Sequence, residues 1–316
     1  MGEGGYASVQ SVKACPTLPT PAPKPGSPPV LQAATRHPKA AVKSIRKRYL
    51  RTAEEVDSLE REVEVLRELS MAGGHPHIVG LLEAWEDGPE GEATPPPTSS
   101  LTSVAGGSIH LVLELVEGGD LGAFLWGRGI PRCSPKQVRG LLDQLLSALA
   151  WMHGRGVLHG DLKPSNILID SLGFEGGVMG PSPTFIHAIK LCDFGNARRS
   201  RDARYYKVTG DVGLVPWSCV SGTMGYVAPE ILLRRSYSTP VDIWGLGCIL
   251  YELLAGFPPF HPYGTCVDTP VQFPHPWGTP DIPEEAQNLV SLMLQVEPSK
   301  RITAQGALTH PFLMRV

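Results

Sequence analysis

Between positions 159 and 195 the chain reads His159-Gly-Asp-Leu-Lys-Pro-Ser-Asn166 and, further on, Asp193-Phe-Gly195. This places a carboxylate, an ammonium, an amide and a second carboxylate, in that order, on two neighbouring loops. Those groups are what moving a phosphoryl group from a nucleotide to a hydroxyl requires. Asp161 is suited to orient the attacking hydroxyl and accept its proton, and Lys163 to neutralise the group in transfer. Asn166 and Asp193 offer oxygen atoms, the ligand type that magnesium prefers.

Such side chains need rigid elements to hold them. Ala40-Ala-Val-Lys43 reads as a strand that delivers a lysine at its end. Thr52 with Glu55 three residues on is a capping box, the start signal of a helix. Val56, Leu59, Val63, Leu66 and Leu69 then recur at three- and four-residue steps, so the helix is amphipathic. Glu62 lies within that apolar stripe, where an unpaired carboxylate costs roughly 3–5 kcal/mol, and Lys43 is its candidate partner. Ile109 to Val116 reads as a strand ended by Glu117-Gly-Gly119, and Ala188 to Cys192 as a short strand leading into Asp193. Ser134 and Pro135 open a helix whose stripe is Val138, Leu141, Leu142, Leu145, Leu149 and Met152, and Gly154 and Gly156 end it. Val241 to Leu254 is apolar enough for a helix buried on most sides. A further helix over about Glu284 to Gln295 leads to Arg301 and to a last short helix before His310-Pro-Phe312.

At 316 residues and 34.0 kDa the chain is long enough for a large core split between two lobes. A net charge of -3 and an apparent pI of 6.4 give no basic field of the kind nucleic-acid binding uses. A hydrophobic content of 42% and a mean hydropathy of -0.05 describe a soluble globular chain. No apolar run approaches the roughly 20 residues of a membrane span, and no secretory signal opens the sequence. The 6 cysteines are scattered without a CxxC pair, so free thiols are expected, with cytosol or nucleus as the default location. Segments 14–38, 87–107 and 171–188 are rich in proline, glycine or small polar residues without helix or strand period, and each reads as a loop.

On these motifs the chain resembles a eukaryotic protein kinase catalytic domain, in family order almost from end to end. The lysine in Asp161-Leu-Lys163-Pro implies serine/threonine specificity. The phrasing around Gly222–Glu230 and Val241–Phe260 is most similar to the calcium/calmodulin-dependent group. The resemblance implies an α+β bilobal fold: a small antiparallel-sheet lobe with one main helix over about 1–116, and a larger, mainly helical lobe over about 117–316. It implies ATP and Mg²⁺ as cofactors, and serine- or threonine-bearing proteins as partners.

The family's roles fall on this chain as follows. Gly2, Gly4 and Gly5 belong to a glycine-rich loop over the phosphates, and the Lys43–Glu62 pair fixes those phosphates. Val9, Ala41 and Leu168 flank the adenine, with Leu113 as gatekeeper. The backbone of Glu114 and Val116 bonds the adenine edge, and Asp120 faces the ribose. Thr223 touches the catalytic Asp161 and Lys163. His159 is a packing and hydrogen-bonding residue, Asp242 anchors the catalytic-loop backbone, and Arg301 and Glu230 form a buried ion pair. Leu66, Leu81, His159 and Phe194 form one apolar column.

The chain departs from the family in several places. Ala7 stands at the third glycine position. Met1 directly precedes the glycine cluster, so the strand that normally leads into it is missing and a fragment of a longer sequence is the preferred expectation. Gly160 replaces the arginine that usually receives an activation-segment phosphate, so activity is expected to depend little on that phosphorylation. Ser165 replaces a glutamate that in basophilic relatives reads a substrate arginine. Ser218 and Ser221 lie where activating phosphates occur in the family. No EF-hand loop occurs, and calcium control is not expected. A kinase-shaped interaction module without turnover is the alternative reading, with the intact set of Lys43, Glu62, Asp161, Asn166 and Asp193 against it. Neither nucleic acid nor membrane is an expected partner, and a monomer is the default.

Overall fold

The residues of Lys39–Arg46 form strand β2, which pairs antiparallel with β1 (Ala7–Lys13) on one side and β5 (Ser108–Glu114) on the other. The computed structural model describes residues 7–13, 39–50, 53–87, 93–94, 107–127, 133–173, 185–199, 225–260, 265–267, 269–274 and 282–314. The chain divides into two compact units, Met1–His75 with Val79–Glu117, and Pro76–Ile78 with Gly118–Val316. The first carries an antiparallel sheet with one main helix and the second is mainly helical, which is the α+β class expected.

In the first unit, β3 (Leu81–Asp87) and the short β4 (Ala93–Thr94) complete a sheet of order β1-β2-β5-β3-β4. The register sets Ala41 opposite Leu113 and Lys43 opposite Leu111. Alternation along a strand puts these four on one face. The helix α1 (Ala53–Met71) lies on that face, because its Glu62 reaches Lys43. Leu59, Val63, Leu66 and Leu69 of α1 are buried, as their spacing requires. The opposite face carries a second apolar cluster of Ala40, Val42, Trp85 and Val112.

The second unit is built on α3 (Pro135–His153) and α5 (Pro240–Ala255). A full capping box starts α3: the Gln137 amide donates to Ser134 Oγ, and the Ser134 amide donates to Gln137 Oε1 at 2.9 Å. Almost every residue of α5 is buried. It lies close to α6 (Glu284–Met293), since a β-carbon on Gly247 would stand 2.9 Å from Met293 Cβ. Trp244 of α5 stacks on Phe260 with ring centroids 5.4 Å apart. The short helices α2 (Leu121–Gly127), α4 (Pro229–Leu232), α7 (Ala304–Leu308) and α8 (Pro311–Met314) complete the helical part. Two ribbons, β6 (Val157–Leu158) with β9 (Arg198–Arg199) and β7 (Ile167–Gly173) with β8 (Phe185–Leu191), carry the loops of interest.

Several sequence expectations need correction. The strand at Ala40 runs on to Arg46, so Lys43 stands in mid-strand; Ser44, Ile45 and Arg46 still find ladder partners in β5. The strand at Ile109 stops at Glu114 rather than Val116, and the helix at Glu284 stops at Met293. The segment 87–107 contains β4, which pairs Ala93 and Thr94 with Asp87 and Glu86. Residues 171–173 and 185–188 are paired strand rather than loop, with Leu172 opposite Ile186. Ala93-Thr94, Ser171-Leu-Gly173 and Phe185-Ile-His-Ala188 show no apolar–polar alternation, and cross-strand pairing reveals them. The whole of 14–38, and Thr52 of the expected capping box, lie outside the described residues. Cys133, Cys192, Cys248 and Cys266 are free thiols. No helix among the described residues is long and apolar enough to cross a membrane.

Candidate active site

In the first unit the Lys43 ammonium donates to Glu62 Oε1 at 2.6 Å, and the two side chains are 19% and 7% exposed. Sheet and helix therefore meet through a charge-assisted hydrogen bond, which fixes the ammonium instead of leaving it to sweep through solvent. Val9 lies opposite Lys43 in the ladder, and Ala41 opposite Leu113. The Glu114 amide donates to Gly80 O at 2.9 Å, so a ligand meeting this backbone would use the Glu114 carbonyl.

In the second unit Asp161, Lys163 and Asn166 come together closely. Lys163 Nζ donates to Asp161 Oδ2 at 2.8 Å. Asn166 Nδ2 donates to the Asp161 carbonyl at 2.9 Å and lies 3.3 Å from Asp161 Oδ2. The amide orientation then leaves Asn166 Oδ1 as an acceptor. The Cys192 amide donates to Asn166 O at 3.0 Å, which ties the loop before Asp193 to the loop of Asp161 and Asn166. Asp193 itself is exposed and has φ 64°, a left-handed conformation uncommon outside glycine.

His159 is a link rather than a base. Its Nδ1 accepts the Asp161 amide at 3.3 Å, so Nε2 must carry the proton it donates to Cys192 O at 3.0 Å. Its ring lies 5.0 Å from that of Phe194. Asp242 of α5 holds the loop from beneath: Oδ2 accepts the His159 amide at 2.9 Å and Oδ1 the Gly160 amide at 2.8 Å. Burial pushes the Asp242 carboxyl up, but the hydrogen bond from His153, the electrostatic pull of the His153 and His159 imidazoles and the Gly160 amide overcome it and hold the group below its ordinary value. Below this, Arg301 Nη1 and Nη2 reach Glu230 Oε1 and Oε2 at 2.8 Å and 3.0 Å, a bidentate buried pair.

Gly160 is explained by its surroundings. Its φ is 79°, and a β-carbon there would stand 2.6 Å from Asn196 O. Asp120 has a structural duty: Oδ1 accepts the Ala123 amide at 2.8 Å and so caps α2. Its backbone also bridges Leu168, which brings two of the expected nucleotide residues side by side.

Sequence reasoning missed two residues. Gln144 of α3 donates to His187 O and accepts the Ile189 amide, each at 3.0 Å, and so completes the edge of β8 upstream of Asp193. His153 Nε2 lies 2.8 Å from Asp242 Oδ2. Gln144 left no signal for this role, because the two β8 partners lie more than forty residues away and are backbone atoms. Gly2, Gly4, Gly5 and Thr223, with Ser218 and Ser221, lie outside the described residues, as does the side chain of Val9.

The donor set fits a hard dication. Among the described residues no cluster of three or more His, Cys, Asp or Glu side chains could hold a metal unaided. Magnesium does not need one, since it takes one or two protein oxygens and fills the rest of its octahedron with phosphates and water. Asn166 Oδ1 and the Asp193 carboxylate are donors of that kind.

Comparison with known proteins gives a consistent picture. Residues 29–313 match the family described as protein kinase domain. The chain is 32% identical over 279 residues to a calcium/calmodulin-dependent protein kinase type 1 of Macrobrachium nipponense, covering 86% of this chain and 66% of that one. It is 34% identical over 270 residues to a calcium/calmodulin-dependent protein kinase type II of Caenorhabditis briggsae, covering 83% and 42%. It is 33% identical over 280 residues to calcium-dependent protein kinase 21 of Arabidopsis thaliana, covering 86% and 44%. The chain thus spans just under two thirds of the first relative and less than half of the other two.

Proposed function

This chain belongs to the protein kinase family, and on that premise we propose that it transfers the γ-phosphoryl group of ATP to serine and threonine hydroxyls of protein substrates. The observation that carries this reading is the joined set of Asp161, Lys163 and Asn166, with Asn166 tied through Cys192 to the position of Asp193. Asp161 accepts the proton of the substrate hydroxyl, and the carboxylate is held for that by the Asn166 amide. Lys163 balances charge on the transferring group. Asn166 and Asp193 hold magnesium, which when bound neutralises charge on the phosphate oxygens. Lys43, oriented by Glu62, holds the nucleotide phosphates. Ala41, Leu113 and Leu168 supply apolar contacts to the base, and Glu114, Val116 and Asp120 the polar ones. Gly2, Gly4 and Gly5 cover the phosphates, Val9 joins the apolar contacts to the base, and Thr223 positions the hydroxyl. Such a site works through position and charge more than through covalent chemistry.

The Gly160 backbone leaves no place for a phosphate-receiving arginine, so we infer an activity that depends little on activation-segment phosphorylation. The test is transfer from radiolabelled ATP to a generic basic protein, comparing the native chain with Asp193→Asn and Lys43→Met. Transfer abolished in both variants is expected. Equal label with the native chain and Asp193→Asn would sink the proposal. Phosphatase treatment is expected to leave most of the activity, and its abolition would remove the phosphorylation-independent part alone.

A further inference from the structure

Strand β8 pairs with β7 along one edge, and among the described residues no strand of a sheet lies along the other. That outer edge is held by side chains and by a tripeptide instead. Gln144 Nε2 donates to His187 O and Gln144 Oε1 accepts the Ile189 amide, each at 3.0 Å. His77 Nδ1 donates to Ile189 O at 3.1 Å, and the His77 carbonyl accepts the Leu191 amide at 2.9 Å. Backbone groups of alternate residues face one edge, so from His187 O to Leu191 N every outward group is engaged. Beside them the buried Lys190 donates from Nζ to Pro76 O at 2.7 Å, and Ile78 bridges Leu191 in parallel.

The tripeptide Pro76–Ile78 lies between α1 and β3 in the chain but belongs to the second unit. Strand β8 is therefore gripped from two sources, α3 and this tripeptide. An edge strand needs its polar groups met, and that need accounts for Gln144 and His77 taken singly. The Lys190 bond meets no edge group, yet it fixes the same stretch to the same tripeptide. The anchors also converge at one place: they end at Leu191, two residues before Asp193. The Cys192 amide is tied to Asn166 next, and Asp193 then has φ 64° although it is not a glycine. A residue keeps such a backbone only where its surroundings over-determine it. The grip on β8 supplies that constraint from the upstream side.

We propose that Gln144, His77 and Lys190 are positioning residues: through β8 they hold Asp193 in its left-handed conformation, ready to share magnesium with Asn166. The inference rests on the reading of Asp193 as a magnesium ligand. The three residues act through the backbone of residues 187–191 and not on the substrate. Loosening the grip lets Asp193 relax, and the loss falls on magnesium more than on the nucleotide.

The test titrates Mg²⁺ against the full chain and reads both the fluorescence of bound trinitrophenyl-ATP and the rate of transfer. Gln144→Met and Lys190→Met should each raise half-saturating Mg²⁺ about tenfold or more in both readouts, as loss of an outer partner of a metal ligand does. The KM for ATP at saturating Mg²⁺ should stay within about threefold of native. His77→Asn keeps a donor near the place of Nδ1 and should stay close to native, whereas His77→Leu should behave like Gln144→Met. In the metal-free protein the amides of Cys192 and Asp193 should exchange faster in Gln144→Met. Val290→Ala, at a fully buried position of α6, is the stability control: it should lower the Tm without moving the Mg²⁺ midpoint. Native Mg²⁺ midpoints in Gln144→Met and Lys190→Met would overturn the inference and leave Asp193 a ligand. An equal shift in Val290→Ala would overturn it as a mere loss of stability. Failure of the underlying reading looks different: Asp193→Asn would then respond to Mg²⁺ as the native chain does, and the inference falls with it.

Discussion

The backbone of Gly160 passes so close to Asn196 that a single added β-carbon would lie 2.6 Å from the Asn196 carbonyl oxygen. The loop of His159–Asn166 and the segment after Asp193 thus touch backbone to backbone, and the same glycine gives its amide to Asp242. Replacement by alanine imposes both a left-handed strain and a clash. We expect Gly160→Ala to destabilise the protein by about 2–4 kcal/mol, measured by urea unfolding. Gly160→Arg should cost at least as much. A neutral effect of the alanine would mean that the loop relaxes freely.

Asp242 accepts two loop amides and faces His153, so its two oxygens are not interchangeable with one oxygen and one NH₂ group. Asp242→Asn turns a donor towards a donor. The expected loss is about 3–5 kcal/mol of stability, as for a broken buried charge contact, together with most of the turnover. Hydrogen exchange at the His159 and Gly160 amides is the direct readout and should accelerate. Because the folded-state pKa of Asp242 is lowered, its contribution is full above the ordinary aspartate range and is lost as pH falls through the depressed value.

The Arg301–Glu230 pair is 0% and 2% exposed at its side chains. Removing one partner leaves a bare buried charge. Arg301→Met should therefore cost roughly 3–5 kcal/mol, while adding Glu230→Met to it should restore a large part of that loss. Denaturant midpoints of the single and double variants decide the matter: a double variant no more stable than the single would show that the ion pair is not the reason.

Tyr226 donates to Glu252 Oε2 at 2.6 Å. Burial pushes the Glu252 carboxyl up, with the tyrosine hydrogen bond opposing. The folded state therefore holds this proton more tightly than the unfolded chain does. Its contribution to stability is full below the ordinary glutamate range and is lost as pH rises through the raised folded value. Glu252→Gln keeps an acceptor for Tyr226 and removes the titration. Relative to the native chain it should gain stability towards neutral pH and match it in acid. Parallel stability–pH curves for the two proteins would contradict the assignment.

How much of this was legible beforehand depends on the distance over which each residue acts. The Leu59–Leu69 stripe, the Ser134 cap and the apolar run of α5 are local patterns, and a helix period or a capping pair is written within a few neighbouring residues. The order of Lys43, Glu62, Asp161, Asn166 and Asp193 was likewise visible, because those side-chain types suit one chemistry and few others. The inward place of Glu62 suggested Lys43 as its partner, and the 2.6 Å contact followed.

Other features depended on parts of the chain brought together only by folding. Polar β4 and the outer ends of β7 and β8 are strands because a partner strand pairs with them, not because they alternate. The clamp of Gln144 on β8, the capping by Asp120 and the contact of His310 with Asn288 are likewise made by backbone and side-chain atoms that no periodicity records. The sequence determined which groups were present and which helices would carry most of them. Tertiary structure decided what each group touches, because hydrogen bonds and van der Waals contacts fall away within an ångström or two and so depend on coordinates, not composition.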